Sequence, residues 1–344
     1  FGLQEIADTI CKFGTEEQKQ QFLPRFSSGE ISGAMALTEP DAGSDLQTVM
    51  LKARQDDAGN WFLNGVKRFI TNGCGEILLT LARSEAEISD GRGLSLFISE
   101  RSEHLKVRHL ENKMGIHGSP TCTLVFGQND KCQGFLLGEE LHGMKLMFYL
   151  MNAARIEVGL QGSAAAGAAH QQALSYAKER LQSRHWKELR NPEAPQVAIV
   201  EHPDVRRMLL SSKAYLEAMR ALLLQTSYYL DMSHLTEGEE SERYHSYVEM
   251  LTPICKAWCS EWGVQVTHWC LQVHGGYGYT SEYPAEQMMR DVEIACIYEG
   301  TNGIQALDFV ARKLPMNNGE TIRDLLGMAE STFKKLRSDP EMME

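Results

Sequence analysis

The sequence lacks several features that would each mark a class of protein. It has fewer basic than acidic side chains, 34 against 46, which gives a formal net charge of −12 and argues against a broad nucleic-acid-binding surface. Its most apolar stretch, 145–170, is interrupted by Arg155 and Glu157, so we expect no membrane-spanning helix. No signal peptide is apparent at the start. An anionic ligand would therefore have to be held locally, by specific arginines or backbone N–H groups.

The sequence also lacks a CxxC pair, although it contains eight cysteines. Cys255 and Cys259 are four residues apart in an apolar helical pattern, which favours buried thiols over a metal site. We therefore predict no metal. Scattered free cysteines are typical of a reducing compartment, and we expect a cytoplasmic protein.

The chain of 344 residues is long enough for two or three domains. It begins with Phe1, and it ends at "RSDPEMME" while a helical pattern is still running. We expect it to be a piece of a longer protein that is cut at both ends.

The first 140 residues change character once. Residues 3–23 have a helical pattern, and "TEEQ" (15–18) predicts a capping box between Thr15 and Gln18. From about 31 to 138, short apolar and β-branched runs predict an antiparallel β domain of about seven strands, a barrel or a sandwich. Within it, the "NG" pair of "WFLNGVKRFIT" (61–71) is a tight-turn signal.

From about 140 to 313 the apolar period becomes helical, which predicts a bundle of long helices. The helix near 153–184 is rich in Ala and Gly, so we expect it to lie centrally and to be approached closely by its neighbours. Another long helix should end at "HGGYG" (274–278), because glycine commonly ends helices. A further helix is expected from about 319.

Two motifs in the β region could present groups to a ligand. "ALTEPDAGSD" (36–45) closes a strand with a loop whose hydroxyls and N–H groups could meet a ring carbonyl or a phosphate, although taken alone the motif favours a plain turn. "KRFITNG" (67–73) places Phe69 and Thr71 two residues apart on a strand, where they could flank a flat heterocycle. The alternative is a strand with one buried aromatic side chain.

Three features of the helical region have similar alternatives. "HGGYGYTSEYP" (274–284) is glycine-dense but follows a helix, so it is no GxGxxG dinucleotide motif and is interpreted as an exposed backbone turn. Arg155 could anchor an anion or form a buried ion pair. In "IYEGTNGIQ" (297–305), Glu299 could be a catalytic base or a carboxylate near a helix N-terminus.

Four of these motifs, in this order and spacing, together resemble the acyl-CoA dehydrogenase family over nearly the whole chain. They are the stretches that begin with "ALTEPDAGSD", "KRFITNG", "HGGYGYTSEYP" and "IYEGTNGIQ". The stretches "KMGIHGSPTC" (113–122) and "NPEAPQVAIVEHPDVRRML" (191–209) resemble its larger subgroup, which includes 3-methylmercaptopropionyl-CoA dehydrogenase. The resemblance implies an α+β multidomain fold: a middle antiparallel β-barrel or sandwich followed by an α-helical bundle. The implied domains are the end of an N-terminal helical domain (1–30), the middle β domain (31–140), a four-helix bundle (141–315) and the start of an additional helical domain (316–344).

The resemblance further implies FAD as cofactor and desaturation of an acyl-CoA thioester, with Glu299 removing the α-proton while hydride leaves the β-carbon for the flavin. Implied FAD-binding residues are Leu37, Thr38, Gly43, Ser44, Phe69, Thr71, Arg180, Gln272, Gly276 and Thr301. Implied substrate-binding residues are Ser44, Arg155, Tyr298 and Gly300. Because Arg180, Gln272 and Gly276 would bind FAD of a neighbouring subunit, the resemblance implies a homo-oligomer, a dimer or a tetramer. Electron-transferring flavoprotein is the implied electron acceptor.

Two departures from the family pattern weaken single contacts: Phe69 stands where many relatives have Trp, and Gly303 stands where a polar side chain is common. Some relatives place the base immediately before the arginine that matches Arg155, but that position here is Ala154. An acyl-CoA oxidase, another flavoenzyme of this fold and a non-catalytic acyl-CoA-binding protein remain alternative functions.

Overall fold

The computed structural model describes residues 3–127 and 131–338. The helices are α1 (Leu3–Phe13), α2 (Glu16–Ser27), α3 (Gly143–Glu179), α4 (Pro203–Leu235), α5 (Gly238–His274), α6 (Ala285–Glu293), α7 (Asn302–Asp308) and α8 (Glu320–Arg337). The strands are β1 (Gly33–Ala36), β2 (Lys52–Gln55), β3 (Trp61–Thr71), β4 (Ile77–Arg83), β5 (Leu94–Glu100), β6 (Leu105–Leu110), β7 (Thr121–Phe126), β8 (Cys132–Leu136), β9 (Leu181–Arg184) and β10 (Gln196–Ala198). A π-helical turn, Phe309–Lys313, follows α7 directly.

The chain divides into two compact units, residues 1–154 and 155–344. This division falls inside α3, whereas the sequence places the end of the β domain near 140. The four domain ranges expected from the sequence therefore stay predictions.

The first unit opens with the predicted capping box. The Thr15 hydroxyl accepts from the Gln18 N–H, and the Gln18 side chain accepts from the Thr15 N–H. Phe22 and Phe26 on α2 are buried in an apolar core with Ile6 and Ile10 of α1. The expected single helical region, 3–23, is thus two helices.

The described part of the β domain has eight strands, where about seven were predicted, and two of its pairings are parallel. Among the described residues, β1 to β8 form one sheet in the order β1-β4-β5-β8-β3-β7-β6, with β2 paired to β3 and β4. The β1–β4 pair is parallel, and the single β2–β4 bridge is parallel as well. The antiparallel expectation is therefore confirmed for the other pairings of the sheet and wrong at these two, because sequence periodicity carries no information on strand direction.

The predicted turn at the "NG" pair was also wrong. Strand β3 runs without interruption through Asn64 and Gly65. Its first part pairs with β2 and β8, and from Gly65 onward it pairs with β7. Gly65 has φ 150°, and a Cβ there would lie 3.0 Å from the Leu51 backbone. Glycine is required here because the strand changes partners under a close backbone contact.

The second unit is built around contacts between helices that need glycine. A Cβ at Gly159 would lie 2.6 Å from the Cys255 carbonyl oxygen, and one at Gly162 would lie 2.5 Å from that of Cys259. Both cysteines are buried, as the sequence predicted. Helix α5 ends at its C-cap Gly275, which has φ 63°, so the predicted helix end is confirmed.

No helix among the described residues is long and apolar enough to cross a membrane. Within the same ranges, no group of three or more His, Cys, Asp and Glu side chains is arranged to hold a metal ion.

Candidate active site

Glu299 lies in a strained turn between a 3-10 turn (Ile294–Cys296) and α7. Its φ is 56°, and that of Gly300 is 87°, so two consecutive residues have left-handed backbone. For a residue with a Cβ this conformation costs roughly 1–2 kcal/mol. Such strain persists where surrounding contacts impose it, and it is frequent at active sites.

Two side chains hold this turn through its carbonyl groups. Arg155 Nε donates to the Glu299 carbonyl oxygen at 3.4 Å. Gln305 Nε2 donates to the same oxygen at 3.4 Å and to the Gly300 carbonyl oxygen at 3.1 Å. A Cβ at Gly300 would collide with Gln305 Nε2. Gly300 is therefore needed both for its backbone conformation and for the space that Gln305 occupies.

Arg155 is itself a buried group with a counter-ion. Its Nη1 lies 3.5 Å from Asp308 Oδ2, and both side chains are 9% exposed. Burial lowers the pKa of the guanidinium, while Asp308 and, to a smaller extent, Glu299 act in the opposite direction. The two readings of Arg155 from sequence thus merge: it forms a buried ion pair, and the same guanidinium contacts the candidate base.

Tyr298 fixes the other side of the turn. Its hydroxyl donates to Gln161 Oε1 on α3. Burial, and then the negative charge of Glu299, raise the pKa of this phenol well above its ordinary value, so it stays a hydrogen-bond donor at neutral pH.

Lys256 is a functional candidate that sequence reasoning missed. It is fully buried, and its Nζ donates to Asn302 Oδ1 at 3.0 Å. Burial lowers its pKa to about 8, while Cys296 and Glu299 raise it. Its position in an otherwise apolar helical pattern of α5 is the one sequence signal that could have identified it.

Thr301 is the N-cap of α7, since its hydroxyl accepts from the Ile304 N–H at 3.2 Å. The structure therefore brings together five predicted site residues in the second unit: Arg155, Tyr298, Glu299, Gly300 and Thr301. It adds Lys256, Gln305 and Asp308, which sequence reasoning did not single out.

In the first unit, a buried ion pair anchors the "ALTEPDAGSD" loop. The Glu39 carboxylate accepts from Lys67 Nζ at 2.9 Å and from the N–H groups of Met50 and Leu51 at 2.8 and 2.9 Å. Lys67 Nζ also donates to the Leu37 carbonyl oxygen at 2.8 Å. Burial lowers the pKa of Lys67 to about 8, against the opposing effect of Glu39.

A second link ties this loop to β3. The Arg68 N–H donates to the Thr38 carbonyl oxygen at 2.9 Å. Glu39 and Ala42 exchange backbone hydrogen bonds and close the turn, which leaves Gly43 and Ser44 exposed. The loop is thus a fixed element of the unit, with its small residues facing solvent.

Phe69 is exposed because β3 is bulged. Its φ is 59°, and the pairing with β7 shifts register between Lys67 and Ile70. Simple alternation from the buried Lys67 would bury Phe69, but Ile70 takes the buried side and Phe69 is 53% exposed. Thr71 is exposed as well. The alternative of one buried aromatic side chain is therefore contradicted.

A third group surrounds the end of α5. Arg180 and Gly276 line a cavity of about 490 Å³ together with Tyr176, His274 and Tyr277. A Cβ at Gly275 or Gly276 would meet nothing within 4 Å, so open space lies over the exposed backbone. Gln272 is near in sequence, and its carbonyl caps α5 by accepting from the Gly275 N–H, but its side chain does not line this cavity.

Two domain models of one protein family match the chain. Residues 34–128 match "Acyl-CoA dehydrogenase, middle domain", and residues 142–314 match "Acyl-CoA dehydrogenase, C-terminal domain". The chain is 38% identical to a butyryl-CoA dehydrogenase of Syntrophomonas wolfei, over 94% of this chain and 57% of that protein. It is 39% identical to 3-methylmercaptopropionyl-CoA dehydrogenase of Ruegeria pomeroyi, over 96% of this chain and 58% of that protein.

A solved structure shares the fold. The acyl-CoA dehydrogenase of Bacillus anthracis complexed with FAD superimposes with a TM-score of 0.78 at 29% identity, over 90% of this chain and 53% of that chain. The chain thus spans somewhat more than half the length of these relatives. The matches cover both units, and the chain belongs to the acyl-CoA dehydrogenase family.

Proposed function

We propose that the protein desaturates an acyl-CoA thioester between its α and β carbons, with Glu299 as the base and FAD as the cofactor. The observation that carries this proposal is the turn at Glu299. Glu299 carries its carboxylate on strained backbone, and its backbone carbonyl oxygen accepts hydrogen bonds from Arg155 and Gln305. A merely structural carboxylate at a helix start needs neither the strain nor the two donors.

The charges around Glu299 suit a base. Burial lowers the pKa of both Arg155 and Lys256, and the negative charge of Glu299 offsets part of this lowering. Because Coulomb interaction is mutual, these two cations favour the ionised carboxylate, which is the form that can accept a proton. Glu299 would take the α-proton, and its backbone N–H would stabilise the developing charge on the thioester oxygen.

The residues present fit FAD. Phe69 and Thr71 are both exposed near the end of β3, and Arg180 lines a cavity together with the exposed backbone of Gly275 and Gly276. In our proposal the ring end is bound by Leu37, Thr38, Gly43, Ser44, Phe69 and Thr71, and the adenine-diphosphate end of a neighbouring subunit's FAD by Arg180, Gln272 and Gly276. Thr301 is proposed to contact FAD as well. When bound, FAD supplies the two-electron acceptor for the β-hydride.

The substrate would be held by Ser44, Arg155, Tyr298 and Gly300. Electron-transferring flavoprotein is proposed as the partner that removes the electrons, and a dimer or tetramer as the assembly in which Arg180 serves a neighbouring subunit. A short acyl chain is proposed on the basis of the similarity to the Syntrophomonas and Ruegeria enzymes.

The test is anaerobic flavin absorbance of the full-length protein after addition of butyryl-CoA or 3-methylmercaptopropionyl-CoA. Wild-type protein should be bleached by at least one of them. Glu299→Gln should keep FAD but reduce the bleaching rate by about 10²–10⁴-fold, the usual contribution of a general base. Glu330→Gln, which alters an exposed carboxylate of α8, is the matched control.

Bleaching of Glu299→Gln at the wild-type rate would show that another group is the base. A yellow wild-type protein that no acyl-CoA bleaches would contradict the proposed reaction. Rapid reoxidation of the reduced flavin by oxygen would instead indicate an acyl-CoA oxidase.

A further inference from the structure

We propose that Asp308 is a positioning residue for Glu299: it holds the Arg155 guanidinium against the backbone carbonyl of the base. This inference rests on the proposed role of Glu299. Asp308 would act on the base through its ion pair with Arg155, so its action on the reaction would be indirect.

The Arg155 guanidinium connects Asp308 to the Glu299 turn. Arg155 uses different nitrogens for its two partners: Nη1 lies 3.5 Å from Asp308 Oδ2, and Nε donates to the Glu299 carbonyl oxygen at 3.4 Å. The guanidinium is planar and rigid, so fixing one edge fixes the direction of the other. Asp308 therefore sets the angle at which Arg155 meets the turn.

The carboxylate at residue 308 lies in an unfavourable environment. Asp308 is 9% exposed, and its Oδ1 accepts no hydrogen bond among the described residues. Arg312 Nε lies 3.2 Å from that oxygen as an ion-pair partner, but without hydrogen-bond geometry, and the Arg312 side chain is 58% exposed. A buried, incompletely satisfied carboxylate is unfavourable on its own. Residue 308 lies one helical turn from Gln305, and burying an apolar side chain there would be less unfavourable than burying a carboxylate. The carboxylate therefore indicates that Arg155 needs a counter-ion at this position.

The backbone changes from an α-helix to a π-helical turn after Asp308. Asp308 is the last residue of α7, and the π-helical turn Phe309–Lys313 begins immediately after it. The wider turn inserts one residue into the helical repeat, and such turns are frequent at functional sites. It directs Arg312 and Lys313 to separate carboxylates, Asp308 and Glu249.

Charged groups of both signs surround the Glu299 turn. The titratable groups that face this turn come from every element packed against it: Arg155 on α3, Lys256 and Glu261 on α5, Cys296 and Tyr298 before Glu299, and Asp308 and Arg312 after it. Two buried cations, Arg155 and Lys256, are thus opposed by Glu299 and Asp308. Without the Asp308 charge, the guanidinium would be free to turn from the carbonyl of Glu299 to its carboxylate, which would weaken the base.

The experiment uses the full-length, FAD-loaded protein and three variants. Asp308→Asn keeps the shape of the side chain and removes its charge, and Asp308→Glu keeps the charge but moves it by one methylene. Glu249→Gln is the matched control, because it removes the partner of the buried Lys313 on the same π-helical turn without touching Arg155.

Two readouts are taken. The first is amide hydrogen exchange of residues 297–305, which reports the turn whether or not the protein is active. The second is the pH titration of α-proton loss from a 3-thiaacyl-CoA, followed by long-wavelength flavin absorbance. This analogue has an α-proton but no β-hydrogen, so proton removal is observed without hydride transfer.

We expect Asp308→Asn to accelerate exchange of the turn, to move the titration midpoint to lower pH and to slow flavin reduction by about 10- to 100-fold, as a small misplacement of a catalytic group does. Asp308→Glu should accelerate exchange but leave the midpoint nearer to that of the wild type. Glu249→Gln should change neither readout.

Unchanged exchange and an unchanged midpoint in Asp308→Asn would overturn the inference. Equal changes in Glu249→Gln would also overturn it, because they would indicate a general loosening of α7. If wild-type protein neither deprotonates the analogue nor is reduced, the proposed function fails, while hydrogen exchange still decides whether Asp308 positions the turn. Should Asp308→Asn not fold, hydrogen exchange of residues 297–305 in Asp308→Glu tests the inference, and exchange at the wild-type rate would overturn it.

Discussion

Replacing Glu39 by glutamine should destabilise the β unit strongly, because it leaves the Lys67 ammonium buried without its counter-ion. Lys67 is 0% exposed and the Glu39 side chain 8% exposed, with 2.9 Å between Nζ and Oε1. Glutamine has the same shape, but it carries no charge and only one acceptor oxygen. Removal of one partner of a buried ion pair costs about 3–5 kcal/mol, against about 0–1 kcal/mol for an exposed pair.

The structure places this case near the upper value. Glu39 accepts from the Met50 and Leu51 N–H groups as well as from Lys67, so glutamine would leave at least one of these donors unsatisfied. Since Lys67 also donates to the Leu37 carbonyl oxygen, the substitution should loosen the loop that we propose to contact FAD. Glu100→Gln is the control, because Glu100 pairs with Arg25 at a partly exposed site.

The effect should depend on pH, with a definite sign. Glu39 raises the pKa of Lys67, which burial has lowered to about 8. The stabilisation that the pair provides is therefore fully present well below pH 8, and it is lost as the pH rises through about 8 and folded Lys67 loses its proton. The difference in free energy of unfolding between wild type and Glu39→Gln should be larger at pH 6 than at pH 9.

Urea denaturation at these two pH values measures this difference, and a double-mutant cycle with Lys67→Met isolates the pair. We expect a coupling free energy of at least about 2 kcal/mol at pH 6. A coupling below about 0.5 kcal/mol, or a destabilisation that does not shrink at pH 9, would refute the reasoning. FAD content of the same variants shows whether the loop depends on the pair.

Two further predictions concern helix packing and the thiols. Gly162→Ala should lower the free energy of unfolding by about 2–3 kcal/mol, because its Cβ would lie 2.5 Å from the Cys259 carbonyl oxygen. Gly167→Ala should be tolerated, because its Cβ would lie 3.4 Å from Arg220 Nη2 and 3.6 Å from Leu216 Cδ1, which is ordinary van der Waals contact. Equal urea midpoints for the two variants would contradict this. With a thiol reagent at pH 8, the exposed Cys11 and Cys74 should react quickly, while the buried Cys255 and Cys270 should react only on unfolding. Burial raises the pKa of Cys255 to about 11 and that of Cys270 to about 12. Fast reaction of either buried thiol in the native protein would show that α5 opens.

Local signals in the sequence predicted the features that depend on a few neighbouring residues. Thr15 and Gln18 form the capping box, and Gly275 ends α5, because a cap is made by residues within one turn of the helix. The small residues of α3 likewise predicted a close helix contact, which Gly159 and Gly162 make. The order of the four motifs was sufficient to indicate the family.

Features that depend on partners far apart in the chain could not be predicted in this way. The "NG" pair of β3 is a strong turn signal locally, yet the contact of Gly65 with Leu51 overrides it. The bulge that exposes Phe69 arises from its pairing with β7, more than fifty residues later. Strand direction at β1 and β4 was equally invisible, because a period of two is the same in parallel and antiparallel pairs.

The candidate site shows the same division. The sequence alone determined which residue types are available: a carboxylate before glycine at Glu299, an arginine within an apolar helix at Arg155, and an aromatic side chain on a strand at Phe69. The tertiary structure decided how they are used, because it joins Arg155 to the Glu299 carbonyl across 144 residues and places Asp308 behind the guanidinium. Burial, counter-ions and backbone strain are properties of groups brought together by folding, and no local pattern specifies them.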